Sequence, residues 1–366
     1  MQSAPKWHTD MFSSNELLNA SFSLFYKINK PGVPEDFLKR EYFLSAKTDR
    51  VGNDSHKLDR ANNFRIQEIY MPNGGDSQET YRVAIINKYV DSKDYLASLD
   101  GSPVKDPDKI EIFDRILDQV AQIEKCDLFI MPELSLPHRL ITKYTNQVAR
   151  TQIGYIGGIE HLRIHNIGFN FILTVLPINI GGDRDAIPVL RLKNHYAPVE
   201  EECIWDIKAR GSKMTVPKPS PYRYDLFEWR GFYFSSYYCY ELADVFHRSI
   251  FFSQVDAIIA PVWNADTHYY NSIIDAATRD MHNYFIIVNT SQYGFSKISR
   301  PHDHVNKEKV IVKGGTEKEY NFTVLVGDLK VAELRAFQKL DHQEQKKAKA
   351  EAKSKGIDLK FKATPS

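Results

Sequence analysis

The fold is decided by the stretch Gly231-Phe232-Tyr233-Phe234-Ser235-Ser236-Tyr237-Tyr238-Cys239-Tyr240-Glu241-Leu242. Its apolar and aromatic run predicts a strand over 231–238, and a helix is predicted to begin at about Glu241. A cysteine at such a strand-to-helix turn lies close to the amide groups of the helix start, which favour a thiolate and can donate to an oxyanion. Cysteine is also a common small buried residue, so this stretch alone leaves a packing role for Cys239 open.

Two further apolar runs end in residues that can carry chemistry. The run from Cys126 to Met131 predicts a buried strand that ends at Pro132, and Glu133 follows directly. Residues 187–193 predict another strand, which ends at Lys193. Sites in α/β folds are built at the carboxyl edge of the sheet, where a partly desolvated Glu133 could act as a general base and Lys193 could stabilise an oxyanion. Taken alone, each residue is more often an ordinary charged residue of a loop.

The remaining chain alternates strands and helices between a less regular start and a charged end. Strands are predicted at 82–87, 153–159, 168–177, 256–262 and 285–290, and helices at 107–124, 138–150, 241–254 and 267–283. The breaker cluster from Pro72 to Asp76 indicates the end of an irregular extension, whose only predicted helix runs from Ser13 to about Tyr26. Segment 208–224 is rich in proline and predicts a long exposed loop. The predicted organisation is an N-terminal extension over 1–80, one α/β domain over 81–335 and a basic helical tail over 336–366.

Composition excludes several classes of protein. The 366 residues are 42% hydrophobic and 26% charged with a formal net charge of +1, so no global charge favours nucleic acid. No apolar run approaches the length of a membrane span, and the first residues lack the apolar core of a signal peptide. The three cysteines include no CxxC pair, which argues against a structural zinc site and fits a reducing compartment, so a cytoplasmic location is expected. His302 and His304 have no companion cluster, and a polar loop is the favoured interpretation there.

The three motifs together resemble the nitrilase, or carbon–nitrogen hydrolase, superfamily. Its members carry a Pro-Glu pair after an apolar strand, then a lysine followed by proline and glutamate, then Cys-Tyr-Asp or Cys-Tyr-Glu after a strand that begins with glycine. Here these are Pro132-Glu133, Lys193 with Pro198, and Cys239-Tyr240-Glu241. The similarity covers roughly residues 80–335. It includes four further segments: Ile156-Gly157-Gly158-Ile159, Asp256 to Trp263, Ala277 to Tyr284, and Phe285 to Thr290.

The chain also departs from the family pattern. The acidic residue that usually precedes asparagine in the family's Ala-Arg-Ala-x-Glu-Asn helix is absent before Asn283. The family's frequent Arg-Phe-Pro does not follow the cysteine, and segment 208–224 resembles an insertion between the lysine and the cysteine. These differences concern the predicted pocket wall, so they affect the inference of the substrate more than that of the mechanism.

The resemblance implies a four-layer αββα sandwich, a homodimer or higher homo-oligomer, and a mechanism that needs no metal or cofactor. Glu133 would take the proton of Cys239, and the thiolate would attack an amide, carbamoyl or nitrile carbon. Lys193 and the backbone N–H of Tyr240 would stabilise the oxyanion, and water activated by Glu133 would hydrolyse the thioester.

Secondary site residues also follow from the resemblance. Many members use a second glutamate after the lysine, and Glu200, Glu201 and Glu202 are candidates, of which Glu201 best fits the family offset. Asn170 and Trp263 are predicted to contribute to oxyanion or substrate binding. Cys126 is interpreted as a core residue.

The expected substrate is a small amide or carbamoyl compound, with nitriles less favoured, because Cys-Tyr-Glu resembles the amide-cleaving branch. Two other functions are compatible with the same sequence. One is a nitrilase-like module with a structural or signalling role in a larger assembly, which the extension, the 208–224 segment and the basic tail motivate. The other is acyl transfer to an amine by the same three residues.

Overall fold

The computed structural model describes residues 64–71, 75–102, 106–206, 208–209, 212–219, 221–301, 310–315, 322–355 and 361. The helix predicted from Ser13 to Tyr26, the loops predicted up to residue 63 and the pair His302 and His304 lie outside these residues. Within them the chain is a mixed α/β fold built on two large sheets.

Seventeen strands lie in the described residues. They are β1 (Phe64–Met71), β2 (Tyr81–Lys88), β3 (Leu128–Ile130), β4 (Gly154–Gly158), β5 (Leu162–Ile164), β6 (Ile167–Phe169), β7 (Phe171–Ile180), β8 (Asp183–Leu192), β9 (Lys208–Ala209), β10 (Ser212–Lys213), β11 (Tyr222–Trp229), β12 (Phe232–Ser236), β13 (Ala257–Pro261), β14 (Tyr284–Val288), β15 (Lys297–Ser299), β16 (Val310–Lys313) and β17 (Phe322–Leu329).

The helices lie between these strands and at the end of the described chain. They are α1 (Ser92–Leu99), α2 (Pro107–Asp118), α3 (Ile141–Thr151), α4 (Pro198–Asp206), α5 (Val245–Arg248), α6 (Thr267–Asp280), α7 (Val331–Gln338) and α8 (His342–Ser354). A π-helical turn over Gln119–Glu124 extends α2, and 3-10 segments cover His138–Leu140 and Cys239–Ala243. No helix in the described ranges is long and apolar enough to cross a bilayer.

The first sheet has the strand order β17-β2-β3-β4-β7-β8. Strands β2, β3 and β4 are parallel, and β7 is antiparallel to both β4 and β8. Strand β8 therefore runs in the same direction as β3, and the two strands end at the same edge of the sheet. This topology brings Glu133 and Lys193 to one edge, as the sequence predicts.

The second sheet has the order β1-β11-β12-β13-β14-β15-β16. Strands β12, β13 and β14 are parallel, so Cys239 and Trp263 follow strands that end at a common edge. The two sheets share one apolar core. It joins side chains such as Ile85 and Ile130 of the first sheet to Phe234, Ile258 and Ile286 of the second.

Alternation along the strands divides the first sheet between two cores. Ile85 and Ile130 face the second sheet, whereas their neighbours Ile86 and Phe129 pack with residues of α2 and α3 in a separate cluster. This is the period of two that a strand imposes on its side chains. Each fully buried aliphatic side chain contributes about 1.5–3 kcal/mol to folding. The two cores therefore hold the strand ends, and the residues that follow them, in fixed positions.

Most predicted elements are confirmed with bounds shifted by a few residues, but two predictions are wrong. The helix predicted over 241–254 is interrupted, because Asp244 has an extended backbone (ψ 113°) and caps the separate short helix α5. Segment 208–224 is not one exposed loop: it contains the β9–β10 pair and the start of β11, and Met214 is buried.

Strand β1 lies within the predicted N-terminal extension and is regular. All eight residues of Phe64–Met71 pair in parallel with Tyr222–Trp229 of β11. Met71 belongs to the core between the two sheets. The predicted boundary at residue 80 stays a prediction, but the residues just before it contribute a strand to the second sheet.

Candidate active site

Glu133 lies directly beyond β3 in a turn that buries its carboxylate. The side chain is 3% exposed. Its Oε1 accepts hydrogen bonds from Lys193 Nζ at 2.8 Å and Asn170 Nδ2 at 3.1 Å, and its Oε2 accepts one from the Trp263 backbone N–H at 3.1 Å. Burial raises the pKa of Glu133 to about 7, although the Lys193 ammonium and a hydrogen bond from the Cys239 thiol act in the opposite direction. A carboxyl with a pKa near neutrality is suited to exchange protons during a reaction.

Lys193 is buried between two carboxylates. Its Nζ donates to Glu133 at 2.8 Å and to Glu200 Oε2 at 2.6 Å. Burial alone lowers the pKa of Lys193, but the charges of Glu133 and Glu200 outweigh it and hold the pKa well above its ordinary value. The lysine is therefore a permanent cation. It has three N–H groups, and these two bonds leave one for a substrate oxygen.

Cys239 opens the 3-10 segment that follows β12 and has a left-handed backbone (φ 42°). Such a conformation costs a non-glycine residue about 1–3 kcal/mol and is typical of functional sites. The thiol is buried, with Sγ 3.7 Å from the Tyr270 hydroxyl and 3.9 Å from the Trp263 carbonyl. Burial and the Glu133 charge raise the pKa of Cys239 to about 12, against the effect of Lys193. The resting thiol is therefore neutral, and a base must remove its proton as it reacts.

An ion pair fixes the cysteine turn against the strand that carries Lys193. Glu241 is fully buried, and its two oxygens accept bonds of 2.9 and 2.8 Å from the guanidinium of Arg191. The same carboxylate accepts the backbone N–H groups of Asn194 and Tyr238, at 2.6 and 2.8 Å. The Glu241 side chain thus connects the two residues around Lys193 to the turn that contains Cys239.

Gly158 allows the Glu133 turn to approach the second sheet closely. A Cβ at this position would meet the Tyr238 hydroxyl, the backbone N of Leu134 and the Cα of Glu133. Two of these three atoms belong to the backbone, so the contact cannot be relieved by a side-chain rotation. A glycine is needed here for space.

The structure corrects one predicted site residue. Glu200, not Glu201, binds Lys193, and Glu200 also accepts from Asn170 Nδ2 at 3.3 Å. Glu201 is the next residue of α4, about 100° further around the helix. It is more exposed and lies 3.8 Å from the surface residue Lys218. The choice of Glu201 is therefore wrong, because the phase of α4 directs Glu200 towards the lysine.

The other predicted residues lie in or beside the cluster. Asn170 contacts Glu133 and Glu200, and Trp263 reaches the site through its backbone N–H and carbonyl. Tyr240 follows Cys239 directly and its side chain is 36% exposed. The predicted role of its backbone N–H stays a prediction.

Several residues around the site have no local sequence pattern that would reveal them. Buried His161 has Nε2 at 3.9 Å from Glu200, and burial lowers its pKa to about 3, so the ring is neutral. The Tyr95 ring packs against the rings of His161 (4.9 Å) and Trp263 (5.1 Å). A cavity bounded by Tyr95, Leu134 and the partly buried Lys88 opens beside these residues. They come from four separate segments, so only the fold brings them together.

Comparison with known proteins gives structural similarity only. No family model matches the chain, and no curated protein matches it. One similar solved structure is a double mutant of the amidase from Nesterenkonia sp. AN1 in complex with acrylamide, at 11% identity and a TM-score of 0.48, covering 76% of this chain and 98% of that chain. Another is a CN-hydrolase superfamily protein from Xanthomonas campestris with an arsenic adduct in its active site, at 13% identity and a TM-score of 0.46, covering 76% and 96% of the two chains.

Proposed function

We propose that this chain is a carbon–nitrogen hydrolase of the nitrilase superfamily, with a four-layer αββα sandwich, that cleaves a small amide or carbamoyl compound. The observation that carries the proposal is the series Glu200, Lys193 and Glu133 beside the thiol of Cys239, in which Lys193 and Glu133 are buried and Glu200 is partly buried. Burying two carboxylates and an ammonium is expensive, and apolar residues of similar size often serve stability as well. The arrangement is therefore better explained by chemistry than by folding.

The reaction begins with attack of Cys239 on the substrate carbonyl carbon. Glu133 accepts the thiol proton as the C–S bond forms, because a neutral thiol is a poor nucleophile. The remaining N–H of Lys193 and the backbone N–H of Tyr240 stabilise the oxyanion. Glu133 then returns the proton to the leaving nitrogen, and ammonia or an amine departs as the C–N bond breaks.

Hydrolysis of the thioester completes the cycle. Glu133 takes a proton from water, the hydroxide attacks the thioester carbon, and the Cys239 thiol leaves with the proton from Glu133. Glu200 keeps Lys193 charged and oriented through both steps, because a carboxylate next to an ammonium favours the charged form. Asn170, which donates to both carboxylates, holds them at a fixed separation.

The test is ammonia release from a panel of amides, carbamoyl compounds and nitriles. The wild type and Cys126→Ala should release ammonia from at least one class, because Cys126 is a core residue of the other cluster. Cys239→Ala should lose turnover by several orders of magnitude while remaining folded. Mass spectrometry should detect an acyl adduct on Cys239. Turnover by Cys239→Ala would exclude the thioester mechanism, and acylated amines in place of free acid would identify a transferase.

A further inference from the structure

A second cluster of side chains lies on the segments that follow Lys193 and Cys239. It consists of His195, which follows Lys193 by two residues, and of Asp244 and His247, which follow Cys239. One ligand atom from each of the three lies within 4.8 Å of the other two. The proposed reaction uses none of these side chains.

Within the cluster, the atoms that could bind a metal lie close together. His195 Nε2 and His247 Nδ1 are 2.7 Å apart, so one ring donates a hydrogen bond to the other. Asp244 Oδ1 caps α5 by accepting the His247 N–H, and its other oxygen lies 3.6 Å from His247 Nδ1. Two imidazole nitrogens and one carboxylate oxygen are a common donor set for zinc and related divalent ions.

The surroundings hold the two rings in place. His247 is buried, and the ring of Tyr222 packs against both His195 (4.4 Å) and His247 (5.0 Å). The hydroxyl of Tyr237 donates to the His247 carbonyl at 2.5 Å. Fixed ligands favour metal binding, because little side-chain freedom is then lost. Asp244 is partly exposed, which gives water access to the remaining coordination position.

We propose that His195 Nε2, His247 Nδ1 and the outer oxygen of Asp244 bind one divalent transition-metal ion of the zinc type. Two nitrogens on a tetrahedral zinc lie about 3.3 Å apart, so the rings would separate by roughly half an ångström on binding. The ring that donates the hydrogen bond would move its proton to its other nitrogen, leaving both facing nitrogens as ligands. The ion would tie the segment after Lys193 to the turn after Cys239.

The test measures zinc binding to the tag-free protein after treatment with a chelator. Isothermal titration calorimetry gives the affinity, and metal analysis after gel filtration gives the number of zinc ions per chain. Wild type should bind one zinc per chain, and zinc should raise its Tm. Asp244→Asn keeps an oxygen to cap α5 but loses the charge, and it should weaken binding about 100-fold. His195→Ala should do the same. Circular dichroism would confirm that both variants are folded.

Three controls separate this site from other zinc ligands in the chain. Cys239→Ala, His268→Ala on the exposed side of α6, and the double variant His302→Ala with His304→Ala should all keep wild-type affinity. Absence of stoichiometric binding to wild type would overturn the proposal. Binding that is unchanged in both Asp244→Asn and His195→Ala, or that is lost in one of the controls, would overturn it equally.

Discussion

At the scale of single residues, Glu200 and Glu201 provide a matched pair. Both are glutamates in the first turn of α4, but only Glu200 contacts Lys193. Glu200→Gln removes one of the two carboxylates that hold the ammonium, so kcat should fall about 100-fold through loss of position. Glu201→Gln should remain within about twofold of wild type. Steady-state kinetics of ammonia release would measure both, and equal effects of the two substitutions would refute the role given to Glu200.

The ionisation of Glu133 should determine the acid limb of the pH profile. The proposed base must be a carboxylate, and burial raises its pKa from 4.5 to about 7. As the pH falls below about 7, the carboxylate becomes protonated, and kcat/KM should fall about tenfold per pH unit. An ordinary exposed glutamate would give this loss only near pH 4.3. A pH profile of kcat/KM that stays flat down to about pH 5 would contradict Glu133 as the base.

The sequence locates residues that follow strands better than residues on helices. Glu133, Lys193 and Cys239 each stand after an apolar run. Strand direction brings Glu133 and Lys193 to one edge of the first sheet, and Cys239 follows a strand of the second sheet, so the packing of the two sheets completes the site. Glu200 could not be separated from Glu201, because the choice depends on the rotation of α4 about its axis. His161 has no local pattern, because its neighbours Tyr95 and Glu200 come from segments distant in the chain.

At the scale of elements, the Arg191–Glu241 pair joins β8 to the cysteine turn. Glu241→Gln keeps the shape of the side chain but removes the carboxylate that pairs with the buried guanidinium, so the free energy of unfolding should fall by about 3–5 kcal/mol. Urea denaturation would measure this loss. Glu333→Gln is the control, because it breaks an exposed pair with Lys330 and should change the free energy by less than about 1 kcal/mol.

A loss below about 1 kcal/mol in Glu241→Gln would show that the pair does not hold the turn.

The helix predicted after Cys239 is interrupted because two acidic side chains cap the backbone within it. Glu241 completes a capping box on the backbone of Tyr238, and Asp244 then starts α5, so two short caps replace the one long helix that the apolar spacing predicted. Both caps are local contacts between residues three apart, so the sequence contains the signal for the interruption, and apolar spacing alone misses it.

At the scale of the whole molecule, the sequence predicts two classes of element unequally well. The sequence predicts the parallel strands at the centre of both sheets because each contains a short, mostly apolar run. In strand β1 only the last residue, Met71, is buried, and the strand precedes a breaker cluster, so the sequence pattern favours an extension. Its place beside β11 depends on a pairing across more than 150 residues of chain, which no local feature specifies.

Adjacent residues at the end of β1 test whether this strand is part of the folded domain. Met71 is 4% exposed in the core between the sheets, whereas Tyr70 is 59% exposed. Met71→Ala should lower the free energy of unfolding by about 2–5 kcal/mol, because it leaves a cavity. Tyr70→Ala should change it by about 0.5 kcal/mol or less. Urea denaturation of both variants would decide the matter: if Met71→Ala is as stable as Tyr70→Ala, β1 does not pack on β11 in solution, and the folded domain begins after the breaker cluster.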